Sequence, residues 1–305
     1  MKYIIETKNL TKIYGKEIGV DSINIKVKKG TIYGLLGRNG AGKTTLMCML
    51  MNLYYPTYGE IFLFGENYQT NPQLYKRIGS IIESPGFYEN LTGEENLKYF
   101  AKLRGQYNKE DLNYALNVMD LDTAKEKVFG KYSMGMKQRL SIAAAIMHKP
   151  DILILDEPVN GLDPVGINEV RKYLKRLCQE QGVTILVSSH ILGEIERLVD
   201  TIGVIHEGKL IEEISMEKLQ NNNDNYVEFE VSNIEKASQI LKEKFSIENY
   251  IKVQNNSLRI YSNFENRGKI NNEFVEEGIE VSKIVPGEYK LEDYFSRLIG
   301  DDSIA

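Results

Sequence analysis

Short apolar runs, separated by glycine and polar residues, mark the predicted strands in the first 220 positions of the chain. Residues 152–155 and 183–187 are apolar almost throughout, which is typical of strands that are buried on both faces of a parallel sheet. Residues 31–36 and 201–206 predict two more strands. Apolar positions at helical spacing lie between these runs, above all from about 91 to 147. The pattern therefore predicts an α/β fold.

The ends of the chain follow other patterns. Alternating apolar residues at Ile23, Ile25 and Val27 predict short strands and turns near the N-terminus. The polar tract 221–225 cannot contribute to a core and is the predicted linker. Beyond it, the predicted order is β-α-β-β-α-β-α, with a last helix over 291–299. This order predicts a small C-terminal α+β domain over 226–305, whose expected role is added dimer surface or stability.

Composition and charge narrow the class of protein. The 305 residues suit one large or two modest domains, and the formal net charge of −5 gives no reason to expect a nucleic-acid partner. With two cysteines, Cys48 and Cys178, a disulfide framework is not expected. No apolar run reaches the roughly 18–20 residues that span a bilayer, and the N-terminus lacks a signal-peptide core. We expect a cytoplasmic protein that works at a membrane only by binding another chain.

One loop indicates the chemistry. Residues 37–44 have the form G-x-x-x-x-G-K-[ST] and lie between a predicted strand and a predicted helix. Glycines let several backbone N–H groups point at a polyphosphate, and the helix N-terminus adds partial positive charge there. Lys43 can reach the β- and γ-phosphates, and the Thr44 hydroxyl can ligate Mg²⁺. The alternative, a glycine-rich turn that binds nothing, does not account for the full pattern in this setting.

An acidic pair follows the apolar run 152–155. Asp156 at the strand end lies beside the predicted phosphates, where it can hold Mg²⁺ through a bridging water. Glu157 then points at the attacking water as general base or water-orienting group. The alternative interpretation is an acidic turn exposed to solvent.

Three further segments carry a family resemblance. Residues 132–140 (Y-S-M-G-M-K-Q-R-L) resemble the signature motif of ATP-binding-cassette (ABC) ATPases, 160–163 (N-G-L-D) the D-loop, and 187–190 (V-S-S-H) the switch-histidine strand of that family. Tyr14 stands where the family stacks an aromatic ring on adenine. These elements come in family order from about residue 2 to 217. The resemblance implies a P-loop NTPase fold over 1–220.

Within that fold, the family has a RecA-like core, an antiparallel β subdomain and a helical subdomain, here expected at about 84–149. The resemblance also implies ATP hydrolysis with ATP and Mg²⁺ as cofactors. The implied catalytic residues are Lys43, Glu157 and His190, and the implied metal ligands are Thr44, Glu83 and Asp156. The implied nucleotide-binding residues are Tyr14, Gly37, Asn39, Gly40, Ala41, Gly42, Lys43, Thr44, Thr45, Glu83, Ser133, Gly135 and Asp163.

The signature motif also implies partners. Ser133 can cap a helix that begins at about Met134, which makes an anion site. In the family this site grips the γ-phosphate of ATP bound to the opposite subunit, which implies a head-to-tail dimer with a second copy or a homologous subunit. A separate membrane permease then places the chain on the cytoplasmic face of the membrane. The plainer alternatives are an ordinary helix cap at Ser133, a core histidine at His190 and a strand aromatic at Tyr14.

Two departures from the family pattern narrow the resemblance. Met134 and Met136 replace the usual Gly and Gln of the signature, and Glu83 replaces the usual Q-loop glutamine. This combination resembles the ATPases of lantibiotic-immunity and bacitracin-type peptide exporters, and residues 291–295 (L-E-D-Y-F) are similar to the tail of many drug-export ATPases. The implied function is export of an antimicrobial peptide or drug. The alternatives are an exporter of simple drugs, lipid or sodium, a soluble ABC protein acting on ribosomes or DNA, and a neutral exchange at Glu83.

Overall fold

The computed structural model describes residues 2–83, 86–105, 107–221, 226–253, 256–261 and 266–287, without the side chains of 220 and 221. Contacts divide the chain into two compact units, Met1–Met216 and Glu217–Ala305. The predicted linker lies outside the described residues except at Asn221, and the predicted helix over 291–299 lies wholly outside them.

The first unit contains most of the strands and helices. Its strands are β1 (Tyr3–Tyr14), β2 (Glu17–Ile23), β3 (Lys26–Lys28), β4 (Ile32–Leu36), β5 (Tyr58–Leu63), β6 (Glu66–Asn67), β7 (Ile78–Ile81), β8 (Ile152–Leu155), β9 (Thr184–Ser189), β10 (Thr201–His206) and β11 (Lys209–Ser215). Its α-helices are α1 (Lys43–Leu50), α2 (Gly93–Leu103), α3 (Lys109–Val118), α4 (Met134–Ile146), α5 (Pro164–Gln181), α6 (Leu192–Ile195) and α7 (Met216–Asn221), the last of which continues into the second unit. Short 3₁₀ helices span Tyr68–Thr70, Pro72–Arg77 and Phe129–Lys131.

A six-stranded sheet in the order β11-β10-β4-β9-β8-β7 forms the centre of the first unit. All neighbours from β10 to β7 are parallel, and only β11 pairs antiparallel. Every residue of β4, β8 and β9 is buried, as the apolar runs predict for strands covered on both faces. This confirms the predicted α/β fold, with strands that alternate with helices.

The N-terminal part forms a second, antiparallel sheet in the order β2-β1-β5-β6, with β3 also paired to β1. The prediction of only short strands here was wrong for β1, which runs over 12 residues. Register shifts in β1 next to β2 and next to β5, and a φ of 47° at Asn9, let this one strand bend and pair on both sides. Such irregularities leave no periodic signal in the sequence.

Local capping signals fix the starts of the helices between β7 and β9. The Thr92 hydroxyl accepts a hydrogen bond from the Glu95 N–H, and the Glu95 carboxylate accepts one from the Thr92 N–H, which is a capping box at the start of α2. Helix α5 has Asp163 as its N-cap and ends at Gly182, whose φ of 70° suits a left-handed helix end. These caps fix the residues at which α2 and α5 begin.

The second unit consists of β12 (Tyr226–Val231), α8 (Ile234–Phe245), β13 (Tyr250–Val253), β14 (Ser257–Ile260), α9 (Arg267–Glu276) and β15 (Val281–Gly287). Its antiparallel sheet has the order β13-β14-β12-β15. Val227, Phe229 and Val231, at alternate positions of β12, are buried in one apolar cluster with residues of α8 and α9. The Phe229 and Phe274 rings meet at 5.6 Å. The described elements follow the predicted β-α-β-β-α-β order.

Across the described parts of the chain, none of the helices combines enough length with enough apolar character to cross a bilayer.

Candidate functional site

The carboxyl ends of four adjacent parallel strands bring the predicted site residues together. Strands β4, β9, β8 and β7 are neighbours in that order. Gly37 follows β4, His190 follows β9, Asp156 follows β8, and Glu83 follows β7 by two residues. Because the strands are parallel, these positions share one edge of the sheet, which is where α/β folds place their ligands.

Close packing explains two glycines of the phosphate loop. Gly42 has a φ of 107°, and a Cβ atom there would lie 2.6 Å from the carbonyl oxygen of Gly19. A Cβ atom on Gly37 would lie 2.4 Å from the carbonyl oxygen of Ile205. Side chains at these two positions are therefore excluded, so the backbone of the loop stays available to a phosphate chain. The remaining predicted loop residues, Asn39, Gly40, Ala41, Thr44 and Thr45, lie in the same loop or the first turn of α1.

Lys43 is buried at the start of α1, with 5% of its side chain exposed. Its Nζ donates hydrogen bonds to the carbonyl oxygens of Gly37 at 2.7 Å and Arg38 at 3.1 Å. The same atom lies 3.3 Å from Glu157 Oε1. A buried ammonium group is stable only with such partners, and phosphate oxygens are stronger acceptors than the two carbonyls. The side chain is thus held inside the loop where phosphates would bind.

Hydroxyl groups hold both oxygens of the Asp156 carboxylate. Thr44 Oγ1 donates to Asp156 Oδ2 at 2.6 Å, and Ser188 Oγ donates to Asp156 Oδ1 at 2.5 Å. Thr44 and Asp156 supply oxygen donors, the kind that Mg²⁺ prefers. Two protein oxygens leave most positions of an octahedral ion to phosphate oxygens and water, so the residues fit a nucleotide-bound Mg²⁺.

Glu157 and His190 form the next layer of the site. Glu157 has a φ of 49°, a left-handed backbone that a non-glycine residue seldom adopts and that marks functional turns. Glu157 Oε2 lies 2.5 Å from His190 Nδ1, while Oε1 faces Lys43. The carboxylate is therefore oriented from both sides, by a cation and by an imidazole.

Glu83 and Asp156 both act electrostatically on helix α1. The φ of 64° at Glu83 is again left-handed, and its side chain is exposed. Burial raises the pKa of the Cys48 thiol on α1, and the negative charges of Asp156 and Glu83 raise this pKa further. Both carboxylates therefore act electrostatically on one position of α1, and the role of Glu83 as a metal ligand stays a prediction.

Tyr14 is the last residue of β1, at the hairpin to β2. Its side chain is 43% exposed, and its ring meets the Tyr54 ring edge-on, with centroids 6.2 Å apart. The hairpin borders the phosphate loop, because the Gly19 carbonyl of β2 packs against Gly42. The position is compatible with the predicted contact to adenine.

Ser133, Gly135 and Asp163 lie at helix N-termini. Ser133 caps α4, and its Oγ accepts a hydrogen bond from the Met136 N–H at 3.3 Å. Gly135 has open space around the position of a Cβ atom, and Asp163 Oδ1 accepts from the Gly166 N–H at 2.8 Å. In the described part of the chain no hydrogen bond or ion pair joins these three to the phosphate loop. Their predicted role across a dimer stays a prediction.

Ser188 is a site residue that sequence reasoning missed. Its hydroxyl donates to Asp156 and accepts from the Glu157 N–H at 2.8 Å, so it joins both acidic residues. The available signal was a serine at the end of an otherwise apolar buried strand. That signal does not predict which residue the serine contacts, because Ser188 is 32 positions from Asp156 and only the β8–β9 pairing brings the two together.

Comparisons with known proteins agree with this geometry. A family model described as ABC transporter matches residues 20–160. The bacitracin transport ATP-binding protein BcrA of Enterococcus faecalis is 53% identical over 306 residues, which cover 100% of this chain and 99% of that protein. The lantibiotic transport ATP-binding protein SrtF of Streptococcus pyogenes is 41% identical over 208 residues, 68% of this chain and 89% of SrtF.

A solved structure shows the same fold in a nucleotide complex. It is a dimeric ATP-binding cassette in a post-hydrolysis state, bound to ADP and Pi, with 25% identity and a TM-score of 0.62. The alignment covers 70% of this chain and 98% of that one. With its phosphate loop, its acidic pair and full-length similarity to BcrA, this chain belongs to the ATP-binding subunits of ABC transporters, which hydrolyse ATP to drive transport.

Proposed function

We propose that this chain is the ATP-hydrolysing subunit of an exporter that removes a membrane-active peptide antibiotic through a separate membrane permease. The observation that carries the proposal is the joint placement of Lys43, Thr44, Asp156, Glu157 and His190 at one sheet edge. Full-length similarity to a bacitracin transport protein supports the choice of cargo.

In this proposal Lys43 binds the β- and γ-phosphates by exchanging a carbonyl partner for a phosphate oxygen. Thr44, Asp156 and Glu83 hold Mg²⁺, which supplies charge neutralisation at the transferring phosphate. Asp156 is already oriented by the Thr44 and Ser188 hydroxyls, so its carboxylate needs little rearrangement to face the ion. Tyr14 stacks on the base.

Hydrolysis then depends on Glu157. Its carboxylate accepts a hydrogen bond from the attacking water and orients it toward the γ-phosphorus. His190, 2.5 Å away, fixes the carboxylate and contacts the γ-phosphate with the rest of its ring. Glu157 has a left-handed backbone directly after β8, and its carboxylate there faces both Lys43 and His190.

The closed site needs a second subunit. Ser133 and Gly135 of one copy are proposed to bind the γ-phosphate on the other copy, and Asp163 lines the same interface. The exposed Ser133 cap and the open space at Gly135 support this role, since a phosphate could approach the α4 N-terminus. The dimer of the related cassette with ADP and Pi supports the arrangement. Closure would exclude water and align the nucleophile.

Coupling to the permease is proposed at the surface next to Glu83. Tyr88 and Tyr99 are exposed there, at 45% and 39%, with hydroxyls 3.2 Å apart. Phe87 beneath them packs edge-on against Phe100 and Phe129. An exposed aromatic pair on a packed base suits a helix of a membrane partner. The second unit is assigned an accessory role in dimer contact or stability, and the chain would lie on the cytoplasmic face of the membrane through the permease.

The experiment expresses the chain together with the proposed membrane permease in a bacitracin-sensitive Gram-positive host. We expect resistance to bacitracin with the natural chain and none with Lys43→Ala, because the variant cannot hold the phosphates. Lys98→Ala, an exposed lysine of α2, is the matched control and keeps resistance. Resistance that survives Lys43→Ala contradicts the ATPase role, and ATPase activity without bacitracin or lantibiotic resistance contradicts the cargo.

A further inference from the structure

The Tyr14 ring lies directly over a glycine of the neighbouring strand. Tyr14 pairs with Glu17, and Gly19 is the extra residue of β2 where the register shifts between Lys12 and Ile13. A Cβ atom on Gly19 would lie 2.8 Å from Tyr14 Cε2 and 3.2 Å from Cδ2. Any residue with a side chain at this position therefore displaces the ring.

Two more contacts hold the ring from its sides. Tyr54, just after α1, meets it edge-on at an interplanar angle of 86°. The Lys12 Nζ lies 5.3 Å from the centroid of the Tyr14 ring. The same Nζ donates a hydrogen bond to the Tyr55 carbonyl oxygen at 2.7 Å. An exposed tyrosine at a strand end would otherwise move among several rotamers.

The same glycine also connects the hairpin to the phosphate loop. Its carbonyl oxygen packs against Gly42, and the Asp21 N–H donates to the Gly208 carbonyl at 2.8 Å. The Gly208 N–H donates in turn to the Ala41 carbonyl at 3.0 Å. The position of β2, and with it the place of the ring, is thus fixed relative to the phosphate loop.

We propose that Gly19 and Tyr54 are positioning residues that set the Tyr14 ring in the plane where it stacks on adenine. The inference rests on the proposed adenine contact of Tyr14. It goes further because it assigns a role in binding the adenine base to Gly19 and to Tyr54. Neither residue lies in a nucleotide-binding motif. Gly19 is the extra residue of the β1–β2 bulge, a place where glycine is common, and the contact with the Tyr14 ring gives this position a second reason to lack a side chain.

The test uses the purified full-length chain and measures binding of ATP and of inorganic tripolyphosphate. Gly19→Ala is compatible with the backbone, because the φ of Gly19 lies outside the left-handed region. We expect Gly19→Ala to weaken ATP binding about 5- to 10-fold, up to the loss of one base–aromatic stack. Tyr54→Ala should weaken it less, and both variants should bind tripolyphosphate like the natural chain.

A double-mutant cycle separates positioning from a structural role. Tyr14→Ala should weaken ATP binding about 10-fold, and adding Gly19→Ala to it should cause no further loss, because no ring remains to be displaced. Ile18→Ala, at an exposed neighbouring position, is the matched control and should leave both affinities unchanged. Thermal unfolding of each variant checks that the hairpin stays folded.

The outcomes are distinguishable. If Gly19→Ala weakens ATP and tripolyphosphate binding equally, or weakens ATP binding as much in the Tyr14→Ala background, then Gly19 only maintains the hairpin and the inference is wrong. If Tyr14→Ala leaves ATP affinity unchanged, the proposed adenine contact fails and the positioning role fails with it, while the ATPase assignment through Lys43 and Glu157 is unaffected.

Discussion

The hydroxyl of Ser188 connects the two acidic residues of the site. It donates to Asp156 Oδ1 at 2.5 Å and accepts from the Glu157 N–H at 2.8 Å. One side chain from β9 thus orients a proposed metal ligand and holds the backbone of the proposed water-orienting residue, both of which directly follow β8. The phosphate loop and the acidic pair were predictable because each lies in a few consecutive residues. Ser188 was not, because its partners belong to another strand.

Replacing Ser188 tests this connection. We expect Ser188→Ala to lower kcat about 10-fold with a small change in the KM for ATP, since misorientation of catalytic groups acts mainly on the transition state. Ser188→Thr keeps the hydroxyl and should retain most of the activity. Steady-state ATPase assays decide the point, and equal kcat for Ser188→Ala and the natural chain would show that the hydroxyl is not needed.

The negative charge of Glu83 is a second feature at the scale of single residues. Glu83→Gln keeps an oxygen for Mg²⁺ but removes a charge near Asp156 and Cys48. We expect basal ATPase activity to persist and the coupling to peptide export to change. Peptide resistance is compared in cells that carry either residue with the permease, and identical resistance would assign no special role to the charge.

Among the elements, the junction of α2, α4 and β7 contains a half-buried histidine. His148 Nδ1 lies 2.9 Å from the Arg104 guanidinium, and Nε2 lies 3.1 Å from the Ile78 carbonyl oxygen. Burial and the Arg104 charge lower the pKa of His148 to about 4. The contacts suit a neutral ring that accepts from Arg104 and donates to Ile78, and they join the last turn of α2 to the central sheet.

This junction predicts a pH dependence of stability. Between pH 6.5 and 4 the unfolded chain protonates His148 while the folded chain does not, so the free energy of unfolding falls as pH falls through this window. Above this pH window, the contribution of His148 to the free energy of unfolding is constant. Allowing for partial exposure, we expect this residue to account for up to about 2 kcal/mol.

Urea unfolding from pH 7.5 to 4.5 measures how steeply the free energy of unfolding changes with pH. His148→Gln should flatten this slope, whereas His206→Gln, at the end of β10, should keep it. Equal slopes in the natural chain and His148→Gln would rule out the histidine as the source.

Element types were largely predictable, since burial on both faces leaves apolar runs at β4, β8 and β9. The length of β1 was not, because its register shifts arise from pairing with two partner strands.

For the whole molecule, we propose that two copies close around ATP. One chain has one phosphate loop and one Ser133 cap, so in the proposed dimer a complete site would take the loop from one copy and the cap from the other. Neither the pattern of the sequence nor the contacts within one chain specify this pairing. It depends on surfaces that meet only between copies.

The most direct measurement is sedimentation of Glu157→Gln with ATP and Mg²⁺ at high protein concentration. The variant keeps the phosphate contacts but orients the water poorly, so ATP should persist and hold the closed dimer. The expected result is a dimer with ATP that is lost with ADP and lost again when Ser133 is changed to arginine in the same chain. A Glu157→Gln variant that binds ATP and remains a monomer would contradict the account.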